Sequence, residues 1–271
     1  MPELPEVETT LRGISPHVVA HRVTTVRVRE PRLRWPVPPD LARNLKGQTI
    51  TGLTRRAKYL LFHTHRGTML LHLGMSGSLS IKPRQAPAAK HDHVDFILDG
   101  ERCLRFTDPR RFGSLHWCGQ TPLAHALLRD LGPEPLGPDF SGNYLYAASR
   151  GRRIAIKQHL MNARIVVGVG NIYASESLFR AGIHPLRSAG RIARIRMHRL
   201  VAEIRQVLTE AIAQGDTTLR DFSVGDGRPG YFQQALEVYG RDGQPCRRCG
   251  TPIRAIRQGQ RATYYCVTCQ R

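Results

Sequence analysis

CRRCGTPIRAIRQGQRATYYCVTC, residues 246–269, determines how the C-terminal end of this chain folds. Its two Cys-x-x-Cys pairs are separated by 16 residues, which lies within the range of four-cysteine zinc sites. Residues 253–257 and 261–265 predict two strands that turn at Gly259. The pattern predicts one structural Zn²⁺ held by Cys246, Cys249, Cys266 and Cys269, with no open coordination position. Two disulfides are the alternative, and a reducing compartment argues against them.

Basic residues surround this hairpin and dominate the whole chain. Five arginines lie in or beside it: Arg247, Arg248, Arg254, Arg257 and Arg261. The chain has 41 Lys and Arg against 21 Asp and Glu, a net charge of +20. Such a charge suits a polyanionic partner, and nucleic acid is the expected one. A solvated basic face remains the alternative for the arginines of the hairpin.

Membrane association is not expected. We find no apolar run long enough to span a bilayer and no basic amphipathic helix with an aromatic face. The first residues, MPELPE, lack the basic and apolar regions of a signal peptide. We therefore expect a cytoplasmic protein, and a monomer because no surplus apolar face is evident.

The rest of the chain predicts an α+β protein with several parts. Short runs of strand type at 26–28, 59–62, 68–73, 94–98 and 102–106 predict a sandwich or barrel, preceded by a helix that starts near Pro5 and stops at Gly13. Residues 131–142, LGPEPLGPDFSG, predict a linker because they are dense in proline and glycine. An apolar stripe from Leu200 to Ile212 predicts a helix that ends at Gly215. We expect domains at 1–130, 143–240 and 241–271.

A glycine turn at 166–171, VVGVGN, is open to two interpretations. It superficially resembles a dinucleotide-binding turn, but Tyr173 stands where the third glycine would fall, which disfavours a nucleotide-dependent oxidoreductase. We predict two helices joined by this turn, the second running from about Asn171 to Gly182. Asn171 is then either an N-cap or part of a phosphate site at a helix N-terminus. The basic chain favours the phosphate site.

Pro2 is a candidate nucleophile. Removal of Met1 would leave a secondary amine with a reference pKa of about 7.7–8.0, partly neutral near pH 7. Its attack on C1′ of a sugar gives an iminium cation, an electron sink that permits base loss and strand-breaking elimination. Glu3 could protonate the sugar ring oxygen as the ring opens. Taken alone, a proline that merely leads into a helix is the commoner explanation.

Blocks of sequence along nearly the whole chain favour the nucleophile over the helix-leading proline as the explanation for Pro2. They are PELPEVET (2–9), RRAKYL (55–60), HLGMSGSL (72–79), KHDHVDF (90–96), TDPRRFG (107–113), LGPEPL (131–136), VVGVGNIYASESLF (166–179), AGIHP (181–185), GDGRPGYF (225–232) and the two Cys-x-x-Cys pairs. With these blocks in this order, the chain resembles formamidopyrimidine-DNA glycosylase. The resemblance implies an N-terminal β-sandwich with flanking helices, a helical domain with a helix-two-turn-helix motif, and a four-cysteine zinc-finger hairpin.

The resemblance also implies roles for single residues. Pro2 forms the Schiff base, Glu3 acts as acid and base, and Lys58 donates a proton in β-elimination. Arg261 matches the family's donor for δ-elimination, although an arginine pKa above about 12 makes phosphate clamping the better physical account. DNA contacts are implied for His91, Arg110, Arg152 and Asn171, a void-filling role on base extrusion for Met75, Arg110 and Phe112, and closure over the extruded base for residues 216–230.

The expected activity is a bifunctional glycosylase and lyase without a soluble cofactor. It would excise 8-oxoguanine and ring-opened purines from double-stranded DNA, then cleave the strand by β,δ-elimination. Two alternatives stay open. An endonuclease VIII-type enzyme would prefer oxidised pyrimidines, but those chains typically begin PEGPE, whereas this one has Leu4. A non-catalytic zinc-ribbon DNA-binding protein would form no covalent adduct.

Overall fold

The computed structural model describes residues 2–218 and 236–271, without the side chains of 216–218. These residues form two compact units. Unit 1 contains residues up to Arg129 together with 212–218, and unit 2 contains Asp130–Ala211 and 236–271.

Helix α1, Leu4–Val18, opens unit 1. Glu3 is its N-cap, and the Glu3 backbone N–H donates to the Glu6 carboxylate at 2.7 Å. The predicted end at Gly13 is wrong, because the helix continues for another turn and buries Ile14 and Val18. Burial of these two side chains outweighs the cost of about 1 kcal/mol for a glycine inside a helix.

Two four-stranded antiparallel sheets make up most of the described part of unit 1. The first has the order β1-β6-β7-β5, with β1 Val23–Val28, β5 Ser78–Pro83, β6 Asp92–Leu98 and β7 Arg102–Thr107. The second has the order β2-β3-β4-β8, with β2 Gly52–Arg56, β3 Tyr59–Thr64, β4 Gly67–His72 and β8 Ser114–Trp117. A short helix, α2 Leu41–Leu45, packs beside β1.

Both sheets contribute to one hydrophobic core, which accounts for the apolar strand sequences. Phe62 and Leu71 of the second sheet belong to the same buried cluster as Phe96 and Phe106 of the first. Strand β6 is buried along its whole length, and β3 and β4 nearly so. The predicted β-sandwich with flanking helices is confirmed.

Unit 2 is mainly helical. Its helices are α3 Gly142–Ser149, α4 Ile156–Leu160, α5 Asn171–Arg180 and α6 Arg194–Thr218, whose last turns from Ile212 belong to unit 1. Ser141 caps α3 by accepting a hydrogen bond from the Tyr144 N–H at 3.1 Å. Leu200, Ile204 and Leu208 of α6 are fully buried. The apolar stripe thus predicted α6 correctly, but its predicted end at Gly215 is wrong because the helix runs to Thr218.

The C-terminal hairpin consists of β9 Arg254–Gln258 and β10 Arg261–Tyr265, as predicted within one residue. Gly259 and Gln260 both have positive φ, the conformation of a two-residue hairpin turn. A small cluster of Phe179, Val238, Cys246, Ile253 and Cys266 packs the hairpin module against α5. The division at 130, 142 and 240 stays a prediction, although residues 131–141 contain no helix or strand.

Candidate active site and metal centre

The four C-terminal cysteines converge on one point. Their sulfur atoms all lie within 4.8 Å of one another, with Cys246 and Cys269 at 3.9 Å and Cys249 and Cys266 at 3.5 Å. A tetrahedral Zn²⁺ with Zn–S bonds of about 2.3 Å requires sulfur separations of about 3.8 Å. A disulfide would need about 2.05 Å. The donor set therefore fits structural zinc, and the four cysteines are not disulfide-bonded.

The backbone around these cysteines is shaped for the metal. The Cys246 N–H donates to Thr251 O at 2.9 Å, and the Gly250 N–H donates back to Cys246 O at 2.9 Å. The Cys266 N–H donates to the side chain of Gln270, whose own amide donates to Ile183 O at 2.8 Å. These contacts tie the metal site to the helical part of unit 2. Arg261 lies exposed at the start of β10.

A buried lysine joins the glycine turn to this hairpin. Lys157 of α4 is 1% exposed, and its Nζ donates to Asn171 Oδ1 at 2.7 Å and to Thr263 Oγ1 at 2.7 Å. A third contact reaches Ala262 O at 3.2 Å. The Asn171 amide in turn donates to Ala262 O at 3.0 Å. These hydrogen bonds connect the start of α5 to strand β10, whose first residue is Arg261.

A buried carboxylate extends the same network. Glu176 is 2% exposed and accepts the backbone N–H groups of Glu237, Val238 and Tyr239 at 2.8–2.9 Å. The Tyr239 hydroxyl accepts a hydrogen bond from the Asn171 amide at 3.2 Å. Asn171 is therefore oriented from three sides. The N-cap of α5 is Gly170, so Asn171 is the first residue of the helix and its side chain has other partners than the helix N-terminus.

Pro2 and Glu3 lie at the N-terminal end of α1, in unit 1. Pro2 is half-buried, and Glu3 is 2% exposed. Acidic Glu6 follows in the first turn of the helix. Burial removes the Glu3 carboxylate from bulk water, one residue after the candidate nucleophile.

Lys58 lies in the two-residue turn between β2 and β3, where Ala57 has a φ of +55°. Arg55 links this turn to α1, because its guanidinium donates to Glu8 at 2.8 Å and to Ala57 O at 2.9 Å. Arg55 thus connects the helix that follows the candidate nucleophile to the turn that carries Lys58.

His72 lies in the neighbourhood of Lys58. Burial and, to a smaller extent, the positive charges of Lys58 and Arg34 together lower the pKa of His72 from 6.5 to about 4. Its Nδ1 accepts the Gly74 N–H at 2.9 Å, which requires an unprotonated nitrogen. The imidazole is neutral at physiological pH.

Met75, His91, Arg110 and Phe112 lie on neighbouring loops of unit 1. Arg110 and Phe112 are exposed, and the Arg110 guanidinium lies over the Phe112 ring at 5.0 Å. The His91 carbonyl accepts the N–H of Asp108, which precedes the Arg110 loop, at 3.0 Å. In such a pair the exposed apolar ring can enter a base stack, and the guanidinium can donate hydrogen bonds to a base edge.

Arg152 lies exposed at a different turn, between α3 and α4 in unit 2. Its carbonyl accepts the Gly190 N–H at 2.9 Å, so its backbone is anchored while its side chain is exposed, where a guanidinium can meet an anion. Of the segment 216–230, the first three residues belong to α6, and those from 219 on lie outside the described residues. No described helix is both long and apolar enough to cross a membrane.

Sequence reasoning missed four residues that hold the candidate residues in place, three in unit 1 and one in unit 2. Asp108, Ser76 and Arg55 lie inside the quoted blocks, but their residue types do not distinguish them from other polar residues. Each holds a partner side chain or backbone group in place, and that contact is not visible in the sequence. Lys157 left a detectable signal: it stands in the apolar stretch IAIKQHL, where a lysine is expected to be buried and bonded.

Comparison with known proteins gives matches over the whole chain. The profile described as "Formamidopyrimidine-DNA glycosylase N-terminal domain" matches residues 1–115. The profile of the "Formamidopyrimidine-DNA glycosylase H2TH domain" matches residues 131–223, and that of the "Zinc finger found in FPG and IleRS" matches 243–271. Proteins named formamidopyrimidine-DNA glycosylase from Thioalkalivibrio sulfidiphilus and Alkalilimnicola ehrlichii are 62% and 60% identical, with 100% of each chain covered.

Solved structures agree. A Lactococcus lactis FPG mutant in complex with Fapy-dG-containing DNA superposes with a TM-score of 0.91 at 33% identity, with 100% of both chains covered. The L. lactis enzyme with abasic-site DNA gives 0.90 at 33% identity over 99% of both chains. The wild-type L. lactis enzyme with an oxidised pyrimidine in DNA gives 0.90 at 32% identity over 100% of both chains.

Proposed function

The chain belongs to the formamidopyrimidine-DNA glycosylase family and is a DNA glycosylase and AP lyase of base excision repair, and we propose that the amine of Pro2 is its nucleophile. The substrates proposed are 8-oxoguanine and ring-opened purines in double-stranded DNA. The observation that carries the proposal is the position of Pro2, one residue before the buried carboxylate of Glu3, in a chain that matches the family end to end.

The chemistry follows from a secondary amine. Its nitrogen forms a bond to C1′ of the damaged nucleotide while the bond from C1′ to the base breaks. The base leaves with the bonding electron pair and takes up a proton, and the amine releases one. Glu3 supplies a proton to the sugar ring oxygen as the ring opens, which leaves an iminium cation on the amine. That cation makes the C2′ hydrogen acidic, so loss of the C2′ proton forms a double bond between C2′ and C3′ and expels the phosphate on C3′. Lys58 is proposed as the proton donor for this β-elimination.

Arg261 is proposed to clamp a phosphate during δ-elimination rather than to transfer a proton. A guanidinium keeps its proton at every physiological pH and presents several donors in a plane. Its exposed place at the start of β10 leaves those donors available. His91, Arg152 and Asn171 are proposed as further DNA contacts, and Met75, Arg110 and Phe112 as the side chains that fill the space of the extruded nucleotide.

Structural zinc at Cys246, Cys249, Cys266 and Cys269 stabilises the hairpin that bears Arg261. A hairpin of this size cannot bury enough apolar surface to fold alone, so the metal supplies folding free energy. We propose a single ion, no soluble cofactor, a monomer and a cytoplasmic location.

Borohydride trapping on two duplexes tests the proposed substrate class. One duplex carries 8-oxoguanine opposite cytosine, and the other carries an oxidised pyrimidine. We expect a covalent complex on the 8-oxoguanine duplex. Its absence on both duplexes would refute the enzymatic proposal and leave a DNA-binding protein, and trapping on the pyrimidine alone would favour endonuclease VIII-type specificity. Because a relative's structure contains an oxidised pyrimidine, trapping on both agrees with the proposal.

A further inference from the structure

The exposed residues Arg110 and Phe112 lie on a loop whose position must be fixed by contacts on its buried side. The loop joins β7 to β8, and a second loop, between β4 and β5, carries Met75. Phe112 is 42% exposed, so packing on its outer face does not hold it in place. A side chain that enters a base stack must nevertheless keep its position, because displacement of the loop would cost the contact.

A fully buried carboxylate joins the two loops. Asp108 is 0% exposed; its Oδ1 accepts the Ser76 hydroxyl at 2.6 Å, and its Oδ2 accepts the Gly113 N–H at 2.7 Å. The Ser76 oxygen in turn accepts the Arg110 N–H at 3.1 Å. Asp108 therefore holds the residue after Met75, the backbone of Arg110 and the residue after Phe112.

The backbone of Asp108 is fixed to the first sheet. Its N–H donates to His91 O at 3.0 Å, and its carbonyl oxygen lies 2.8 Å from Nε2 of the buried His93 ring. The same carbonyl accepts the Arg111 N–H at 3.1 Å. The carboxylate is consequently held in one orientation rather than adapting to the loops.

The two loops also touch through their backbones. Gly74 has a φ of +67°, and a Cβ placed on it would lie 2.3 Å from the Phe112 carbonyl carbon. Only glycine fits this contact, so a displacement of one loop moves the other.

We propose that Asp108 is a positioning residue that sets Met75, Arg110 and Phe112 as one preformed wedge, and thereby controls lesion extrusion and the choice of the opposite base. It acts through Ser76 and Gly113 and does not touch DNA. This inference rests on the proposed function. Extrusion of a paired base requires that the base be unstacked and unpaired, whereas an abasic nucleotide has no base to unstack or unpair. A misplaced wedge should therefore slow excision of a base far more than cleavage at an abasic site.

Two variants test the inference, one that perturbs both contacts of the Asp108 carboxylate and one that leaves the contact from Gly113 intact. Asp108→Asn keeps the shape but cannot accept both hydrogen bonds in the same way. Ser76→Ala removes the contact to Asp108 Oδ1 and, with it, the link to the Arg110 N–H, but leaves the contact from Gly113 to Asp108 in place. Thr64→Val is the matched control, because Thr64 is buried and organises the β3–β4 turn through Gly67 O at 2.8 Å, away from the wedge contacts. Circular dichroism and thermal unfolding confirm folding of each variant.

The assay compares single-turnover excision of 8-oxoguanine with cleavage of a preformed abasic site, and follows 2-aminopurine fluorescence beside the lesion as a measure of extrusion. For Asp108→Asn we expect excision and the fluorescence phase to slow by about 10-fold or more, for Ser76→Ala by about 3-fold, and for both a smaller preference for cytosine over adenine opposite the lesion. Abasic-site cleavage should stay within about 2-fold of wild type. Thr64→Val should match wild type in every assay.

Two results would overturn the proposal: an equal loss of abasic-site cleavage, or variants that fold and retain wild-type extrusion and opposite-base preference. If Asp108→Asn does not fold, Ser76→Ala decides by the same criteria. Failure of the wild-type chain to cleave even the abasic site would instead refute the proposed function.

Discussion

Replacing Lys157 with methionine should lower both the stability of unit 2 and the affinity of the protein for DNA. Methionine matches the length and apolar stem of the lysine but donates no hydrogen bond. The side chain is 1% exposed, so water cannot take the place of the lost donor. The oxygen atoms that lose a contact include Asn171 Oδ1, Thr263 Oγ1 and Ala262 O.

The size of the effect follows from what each oxygen keeps. Ala262 O retains the Asn171 amide at 3.0 Å, so it remains satisfied. Asn171 Oδ1 and Thr263 Oγ1 lose short contacts from a charged donor, at about 1–3 kcal/mol each. Removing a buried ammonium recovers part of that cost. We therefore expect the free energy of unfolding to fall by about 2–4 kcal/mol.

The effect on DNA should pass through Asn171. Loss of one of the partners that orient its amide should cost about 1 kcal/mol of binding, or about 5-fold in Kd. Urea denaturation measures stability, and titration of a duplex with an uncleavable abasic analogue measures Kd. Lys46→Met, at an exposed lysine, controls for the change in charge.

A double-mutant cycle with Asn171→Ala gives the decisive comparison. If Lys157 acts through Asn171, the double variant should bind no more weakly than Asn171→Ala alone, a coupling of about 1 kcal/mol. Additive losses of affinity, or a Lys157→Met protein with wild-type stability, would refute the reasoning.

Three further predictions concern the metal, the buried histidine and the hairpin arginine. Removal of zinc by a chelator, or Cys249→Ser, should release the hairpin and reduce DNA affinity while the far-UV signal of unit 1 persists; unchanged affinity in metal-free protein would contradict a structural role. Because the pKa of His72 is about 4 when folded and 6.5 when unfolded, the unfolded chain binds the proton first as pH falls. The free energy of unfolding of the wild type should therefore fall by about 3 kcal/mol more than that of His72→Asn between about pH 7 and about pH 4. A urea midpoint that shifts equally with pH in both proteins would exclude the lowered pKa of His72. Arg261→Gln should lower DNA affinity and reduce the slope of log K against log salt by about 1, whereas an unchanged slope would mean that Arg261 meets no phosphate.

Local patterns predicted most of the elements. The alternating and apolar runs located β3, β4, β6 and β7, because a strand in a sandwich is defined by which of its faces is buried. The Cys-x-x-Cys spacing identified the metal site, since four ligands in two tight turns leave few other arrangements. The predicted ends of α1 and α6 were both placed at a glycine and were both wrong. Gly13 is a poor helix former, but burial of Ile14 and Val18 beyond it outweighs its propensity, and Gly215 likewise lies inside a helix.

The supporting contacts could not be predicted from the sequence. Lys157 and Thr263 are 106 residues apart, and Asp108 and Ser76 are 32 apart. A hydrogen bond between such residues depends on the packing of whole elements and leaves no periodic signal along the chain. The proposed reactive groups Pro2 and Glu3 and the four cysteines are different, because their own chemistry and position in the sequence make them candidates without any knowledge of packing.

The most direct test of the central claim is the site of the covalent bond. The complex trapped with borohydride on 8-oxoguanine DNA is digested and its cross-linked peptide is sequenced by mass spectrometry. We predict an adduct on the nitrogen of Pro2, in a peptide from which Met1 is absent, and no trapping in a form that keeps Met1. An adduct on Lys58 or another lysine, or full trapping with Met1 retained, would contradict the account.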